Sequence, residues 1–203
     1  MTSPALLAGF ADPSAASQAC FRAVLSALAE PGTAHRLPPP QERPAGCMSG
    51  TASIGLALLD TSTPFYVSQL EGLAGYLRFH TGAPESEQAE AQWAFTSADN
   101  QGLVDLLLGL SLGSLEYPEA ASTLVIQLRQ HPQAGGPMGL QGPGIQGRRG
   151  FSTLGLPEAL WVWRRTQRSR YPLGIDLLFV FEDEVWGLPR STEILQEDAC
   201  TSQ

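Results

Sequence analysis

Three places in this chain carry residue types at a spacing that could do chemistry, and a fourth puts a charge where a strand should be apolar. Gly109, Ser111 and Gly113 spell G-x-S-x-G, the pattern that raises a serine nucleophile above the sheet of an α/β hydrolase. Such an elbow needs a strand before the serine and a helix after it. Here LVDLLLGL ahead of Ser111 reads as a helix and GSLEYPE behind it as a loop. A triad also needs an acid and then a histidine downstream, and the only later histidine, His131, comes just twenty residues on. A serine hydrolase built on Ser111 is therefore the weakest alternative.

Gly142, Gly144 and Gly147 spell G-x-G-x-x-G, the phosphate-cradling fingerprint of dinucleotide folds when a helix opens directly after it. RRGFSTLGL intervenes instead, and Arg164 and Arg165 occupy the region where a ribose-holding acid would fall. A turn whose glycines need positive φ is the better reading.

Arg164, Arg165 and Arg168 stand at helical spacing, with Arg170 beyond and Leu160, Trp161 and Trp163 as apolar bulk. They form either a solvated face that complements a helix C-terminus or a docking or anion-binding surface, since arginine beside tryptophan has the composition of an interface hot spot. His80, flanked by Arg78, Phe79 and Thr81, sits at a helix end where it can satisfy terminal carbonyls. His35, His80 and His131 are too scattered for a metal site. Asp176 lies in an apolar run, where an unpaired carboxylate is costly. It needs a partner, and Arg190 on the returning arm is the sensible one. The pair is either structural or the positioning element of an anion pocket.

These residues depend on the elements that hold them. Gly174 to Phe181 is an apolar run of strand length, suited to a strand covered on both faces. Glu182, Asp183 and Glu184 supply a turn, and Val185 to Leu188 returns as an edge strand that Pro189 ends. Upstream, Ser14 can cap a helix through about Glu30 with Cys20, Phe21, Val24, Leu25 and Leu28 on one stripe, stopped by Pro31 and Gly32. Leu37 to Pro44 is a proline-rich connector, and TASIGLALLD after it is a second helix with small residues for close packing.

Strands are expected at Pro64 to Ser68, Trp93 to Thr96, Thr123 to Leu128 and Met138 to Leu140. Helices are expected at Leu70 to Phe79, at Gln101 to Leu110 behind an Asp99 cap, and from Pro157 to about Arg168. The interleaving predicts a single α/β layered domain over 1–203 with a mixed sheet flanked by helices and a flexible tail over 195–203.

Composition excludes more than it assigns. All twelve basic residues are arginine, so no side-chain amine is available for a Schiff base with pyridoxal phosphate or a carbonyl substrate. A net charge of -8 argues against broad adhesion to nucleic acid or anionic membrane. MTSPALLAGFADPS lacks the features of a secretion signal, and no apolar run approaches the roughly 20 residues of a membrane span. A cytoplasmic protein is expected. Cys20, Cys47 and Cys200 are widely separated, which favours free thiols over a disulfide framework, a zinc site or an iron-sulfur cluster.

FRAVLSALAEPG near the start, LRFHTGAP at Leu77 to Pro84, PEAASTLVIQL from Pro118, GPGI at Gly142 to Ile145, PLGIDLL and LPRST near the end form an ordered set. In these pieces the chain resembles the PhnH subunits of carbon-phosphorus lyase, over nearly its whole length. Tyr171, Gln141 and Ser191 stand where that family is expected to have phenylalanine, threonine and threonine.

The resemblance implies a fold related to the large domain of pyridoxal-phosphate-dependent transferases, without a working cofactor site. It implies a homodimer that joins sister subunits in a core complex. That complex couples a phosphonate to the ribose of a nucleoside triphosphate and displaces the base, before an iron-sulfur sister subunit cuts the carbon-phosphorus bond. No catalytic residue carries over from the family, and no cofactor or metal is expected here.

The expected role is a non-catalytic or helper subunit. A rival has the chain bind phosphonate or nucleotide itself through Arg78, Arg190 and the Gly142 to Gly144 turn and take part in transfer. A third possibility is a self-standing anion-binding module.

Overall fold

A computed structural model describes residues 7–132, 135–152 and 155–195 of the chain. The expected tail beyond Leu195, with Cys200, lies outside the described residues, as does part of the glycine-rich stretch from Gln133.

The first helix, α1 (Pro13–Ala29), is capped by Asp12, whose carboxylate accepts the Ala15 amide at 3.1 Å. The cap thus lies two residues before the expected Ser14. Pro13 explains the shift, because its missing N–H costs nothing at the first helical position. Cys20, Ala23, Val24 and Ala27 form its buried row. Phe21 and Leu25, expected on that row, are 54% and 56% exposed. The helix is rotated so that its small residues face inward and a large apolar pair faces out.

Next come β1 (Ala34–Arg36) and α2 (Ser49–Leu58). The small residues of α2 serve the predicted purpose. A Cβ on Gly55 would collide with the Leu77 side chain, and one on Gly50 would crowd Val180. Then follow β2 (Phe65–Val67), α3 (Leu73–Thr81), β3 (Trp93–Ser97), α4 (Leu103–Gly109) and β4 (Thr123–Gln127). Asp99 does not cap α4. Its carboxylate pairs with Arg129, and the Asn100 side chain accepts the Gly102 amide at 2.9 Å instead.

The chain continues through β5 (Met138–Gln141), β6 (Arg149–Phe151), α5 (Glu158–Gln167), β7 (Asp176–Phe181), β8 (Glu184–Leu188) and β9 (Glu193–Leu195). Pro157 is the residue before α5 rather than its first helical residue.

Six strands form a mixed sheet in the order β1-β8-β7-β4-β3-β2. β2, β3, β4 and β7 run parallel, while β8 and β1 are antiparallel to their neighbours. A second, antiparallel sheet has the order β6-β5-β9. The α/β architecture with a mixed sheet flanked by helices is thus as expected.

The apolar run of β7 divides by strand alternation. Leu177 and Phe179 enter the core formed with α4 and α5, and Leu178 and Val180 enter the core formed with α1, α2 and α3. Its hairpin with β8 turns on two residues rather than three. Glu182 takes the left-handed region at φ 52°, Asp183 completes the turn, and Glu184 already pairs with Phe181. β8 is not an edge strand, since β1 lies outside it with Ala34 opposite Trp186.

Three glycines let the end of α1 approach both sheets. A Cβ on Gly187 of β8 would overlap the Ala27 carbonyl, one on Gly144 would overlap the Ala29 carbonyl, and Gly32 turns the chain at φ +78° against Leu140 and Phe151.

Candidate functional site

The β7–β8 register, with Leu177 opposite Leu188, brings the start of one strand beside the exit of the other. Asp176 and Arg190 meet there. The Arg190 amide donates to Asp176 Oδ1 at 2.6 Å, Nη2 to Oδ2 at 2.6 Å and Nε to Oδ2 at 3.1 Å. Its Nη1 donates to the Pro118 carbonyl at 2.7 Å. The two side chains are 17% and 19% exposed. The carboxylate is thus satisfied by a two-pronged guanidinium contact and a backbone donor, the arrangement that makes a half-desolvated charge tolerable.

Arg164 joins this cluster from α5. Its helical spacing with Arg165 and Arg168 suggests a surface row, yet it is 3% exposed. Its Nη1 donates to the Ile175 carbonyl at 3.0 Å, and Nη2 reaches the carbonyls of Leu188 and Pro189. Burial lowers its pKa to about 10, while the nearby Asp176 charge opposes that shift. It stays a cation at neutral pH, tying α5 to the ends of β7 and β8.

The rest of the arginine row disperses. Arg165 donates to Glu158 at 2.7 Å, and Arg168 lies over the Tyr171 ring at 5.8 Å from its centroid. Trp161 and Trp163 are buried, so neither stands beside the outward arginines of α5. The cause is the pitch of α5, which turns Leu160, Trp161, Trp163 and Arg164 inward and leaves Val162 outside.

Arg78 and His80 lie elsewhere. α3 packs on α2 and β2 at the opposite end of the sheet from β8. Arg78 pairs with Glu85 at 3.5 Å. The His80 Nε2 lies 2.9 Å from the Leu7 carbonyl, and the ring packs on Tyr76 and Phe79. It does engage a carbonyl, though one from the N-terminal segment. The helix end itself closes through Gly82, whose amide donates to the Arg78 carbonyl at 3.0 Å. Arg78 and Arg190 therefore do not converge on one pocket.

Gly142 and Gly144 lie in the β5–β6 connection at φ +143° and +78°. An antiparallel strand follows them, so no helix opens directly after the turn. Gly142 abuts the backbone of Ser191 and Thr192, and Gly144 abuts the end of α1. Ser111 follows a helix and donates its hydroxyl to the Ala120 carbonyl at 3.0 Å, while its Oγ accepts the Gly113 amide at 3.2 Å. It stitches a loop, and the strand-turn-helix context of a nucleophile elbow is missing at this position.

Cys20 and Cys47 are buried, and desolvation pushes both thiols up to about 12. Neither offers a thiolate at neutral pH. Among the described residues no three histidine, cysteine or carboxylate side chains gather as a metal site.

One concavity has no counterpart among the sequence motifs. A cleft of about 770 Å³ opens between the turn after α1, the small sheet and β8. Thr33, His131, Gln146, Arg148, Arg149 and Trp186 are among the residues that line it. Arg149 Nη1 donates to the Pro31 carbonyl at 2.6 Å and to Thr33 Oγ1 at 2.7 Å. Arg148 extends across Gly139 of β5, where a Cβ would strike its guanidinium. His131 has its ring nitrogens on the Pro132 carbonyl at 2.7 Å and Glu184 at 2.8 Å, and its ring edge on Trp186. The sequence signal was the adjacent arginine pair between Gly147 and Gly150, hidden by the glycine motif just before it.

The model of the bacterial phosphonate metabolism protein family PhnH matches residues 8–195. The chain is 30% identical over 192 residues to the alpha-D-ribose 1-methylphosphonate 5-triphosphate synthase subunit PhnH of Rhizobium meliloti (strain 1021), covering 93% of this chain and 94% of that protein. It is also 30% identical over 181 residues to the putative C-P lyase subunit protein HtxG of Stutzerimonas stutzeri, covering 87% of this chain and 85% of the relative. With the family model spanning nearly all of the described chain, this protein belongs to the PhnH family of bacterial phosphonate metabolism proteins.

Proposed function

We propose that the chain is an accessory, non-catalytic subunit of a bacterial carbon-phosphorus lyase system. It lends surface and shape to sister subunits that hold the reacting groups. The system couples an alkylphosphonate to the ribose of a nucleoside triphosphate before the carbon-phosphorus bond is cut. The observation that carries this reading is that both relatives are named as subunits and each aligns over most of its length. The geometry supports it, because Arg190, Arg164, Arg165 and Arg78 spend donors on oxygens of this protein.

Four finer parts belong to the same reading. The chain is one domain, supported by a single central sheet that serves both cores. The layered fold is of the kind found in the large domain of pyridoxal-phosphate-dependent transferases, supported by a run of parallel strands with helices on both faces. The working form is a homodimer within the larger assembly, supported by exposed apolar side chains such as Phe21, Leu25 and Tyr117. Its place is the cytoplasm, in keeping with the finding that no described helix is long and apolar enough to cross a membrane.

The test is genetic and biochemical together. A tagged chain expressed in its native cell is expected to copurify with sister subunits, and its deletion to abolish growth on methylphosphonate as the sole phosphorus source. Growth should return with the wild-type chain and equally with Ser111→Ala. Turnover of a phosphonate by the isolated chain would overturn the accessory role.

A further inference from the structure

The loop from Leu112 to Glu119 and the turn from Arg168 to Tyr171 are distant in sequence and adjacent in the fold. The Gly174 amide donates to the Leu112 carbonyl at 3.0 Å. One nitrogen of Arg190, Nη1, lies 2.7 Å from the Pro118 carbonyl oxygen and 3.5 Å from that of Pro172. Each of those prolines follows a tyrosine. Tyr117 and Tyr171 are 56% and 55% exposed, and Leu115 on the same loop is 78% exposed. Large apolar and aromatic side chains gathered at one outer corner have the composition of an interaction surface, where tyrosine is a preferred anchor.

The charges of this corner are divided by segment. Glu116 and Glu119 belong to the loop, Arg168 and Arg170 to the turn, and all four are exposed. Elsewhere Arg36, Arg78, Arg129, Arg165 and Arg190 each pair with a carboxylate of this chain. Among the described residues Glu116, Glu119, Arg168 and Arg170 have no ionic partner. Arg168 lies over the Tyr171 ring, a contact through the face of the guanidinium that leaves the N–H donors at its edge. The corner thus has an acidic half and a basic half that leave each other unpaired.

A two-fold axis through such a surface lays each half on the opposite half of a second copy. Unlike charges then meet at both ends of the contact. A partner surface of one sign would match one half and repel the other. Exposed ion pairs are each worth little, so Leu115, Tyr117 and Tyr171 supply the affinity while the charges set register and orientation.

We propose that this corner is the face through which two copies of the chain pair, the loop acids of each copy meeting the turn arginines of the other. The proposal rests on the homodimer reading above and names its surface. It also gives the Arg190–Asp176 pair a task, because Asp176 orients the guanidinium that holds the Pro118 carbonyl and so fixes the loop against the turn.

Sedimentation velocity on the full chain provides the test, and the wild type is expected to be a dimer. Glu116→Arg with Glu119→Arg makes the corner wholly basic, and Arg168→Glu with Arg170→Glu makes it wholly acidic. Each double variant sets like charges against like and is expected to self-associate about a hundredfold more weakly. An equimolar mixture of the two is expected to recover the dimer mass, since each supplies the charges that the other lacks. Recovery requires folded chains, so the mixture separates lost pairing from lost structure.

A wild type that stays monomeric at its highest soluble concentration sinks the homodimer reading and this surface together. A dimeric wild type with either double variant still fully dimeric, or with a mixture that stays monomeric, overturns the surface alone. Copurification with sister subunits is expected to persist in both variants. Its loss with the dimer mass unchanged would assign the corner to a sister subunit and overturn the proposal.

Discussion

Asp176 shows how one carboxylate can organise a corner of a protein. It accepts from the Arg190 amide and guanidinium, and its charge favours the cationic form of buried Arg164. Asp176→Asn keeps the size and removes the charge, leaving two guanidinium groups near each other without compensation. We expect a loss of about 3 kcal/mol in urea unfolding at pH 7, the low end of the range for breaking a buried pair because some solvent reaches this one. A loss under 1 kcal/mol would mean that the carbonyls of Pro118, Ile175 and Pro189 alone hold the arginines. The pairing itself was legible, since an acid inside an apolar run demands a cation and the hairpin geometry names it. The burial of Arg164 was not legible. Nothing in a row of arginines at helical spacing says which one the helix turns inward.

The elements were read best where the apolar pattern was long. β7, β4 and α1 stand close to their expected bounds because continuous or periodic burial leaves a strong trace. β1, β6 and β9 are three residues each and left no apolar run to read, whereas β2, equally short, fell inside the expected Pro64 to Ser68. Missing β1 led directly to reading β8 as an edge strand.

The contact between α1 and β8 provides a prediction at this scale. Gly187→Ala puts a methyl group into the Ala27 carbonyl, and backbone cannot yield as a side-chain tip does. The expected cost is about 1 to 3 kcal/mol by thermal or urea unfolding. Gly55→Ala should cost less, because its contacts are the terminal carbons of Leu77.

At the scale of the molecule, one sheet separates two cores, and their chemistry differs. The core on the α1, α2 and α3 side holds Cys20, Cys47 and Tyr76. Burial raises both thiols from about 9 to about 12, and the tyrosine hydroxyl from about 10 to about 12. The unfolded chain therefore releases these protons at a lower pH than the folded one. Stability contributed by the neutral groups is full below about 9 and is lost as pH rises toward about 12. Urea midpoints measured from pH 8 to 11 should fall, and Cys20→Ala with Cys47→Ala should flatten part of that fall. A flat profile in the wild type would contradict the assignment. The α/β class was legible at this scale from the alternation of helical and strand patterns. The cleft was not, because it is made where four distant segments meet, around residues 32, 131, 149 and 186.

The corner where α1 ends rests on peptide groups at two points, with hydrogen atoms at residues 144 and 187 in place of larger substituents. A seat of that sort is blind to the identity of its neighbours. Side chains that face away from those two points can replace one another without shifting the helix, so long as both hydrogens persist. The wall of the adjacent hollow can then change its lining while the frame stays where it is.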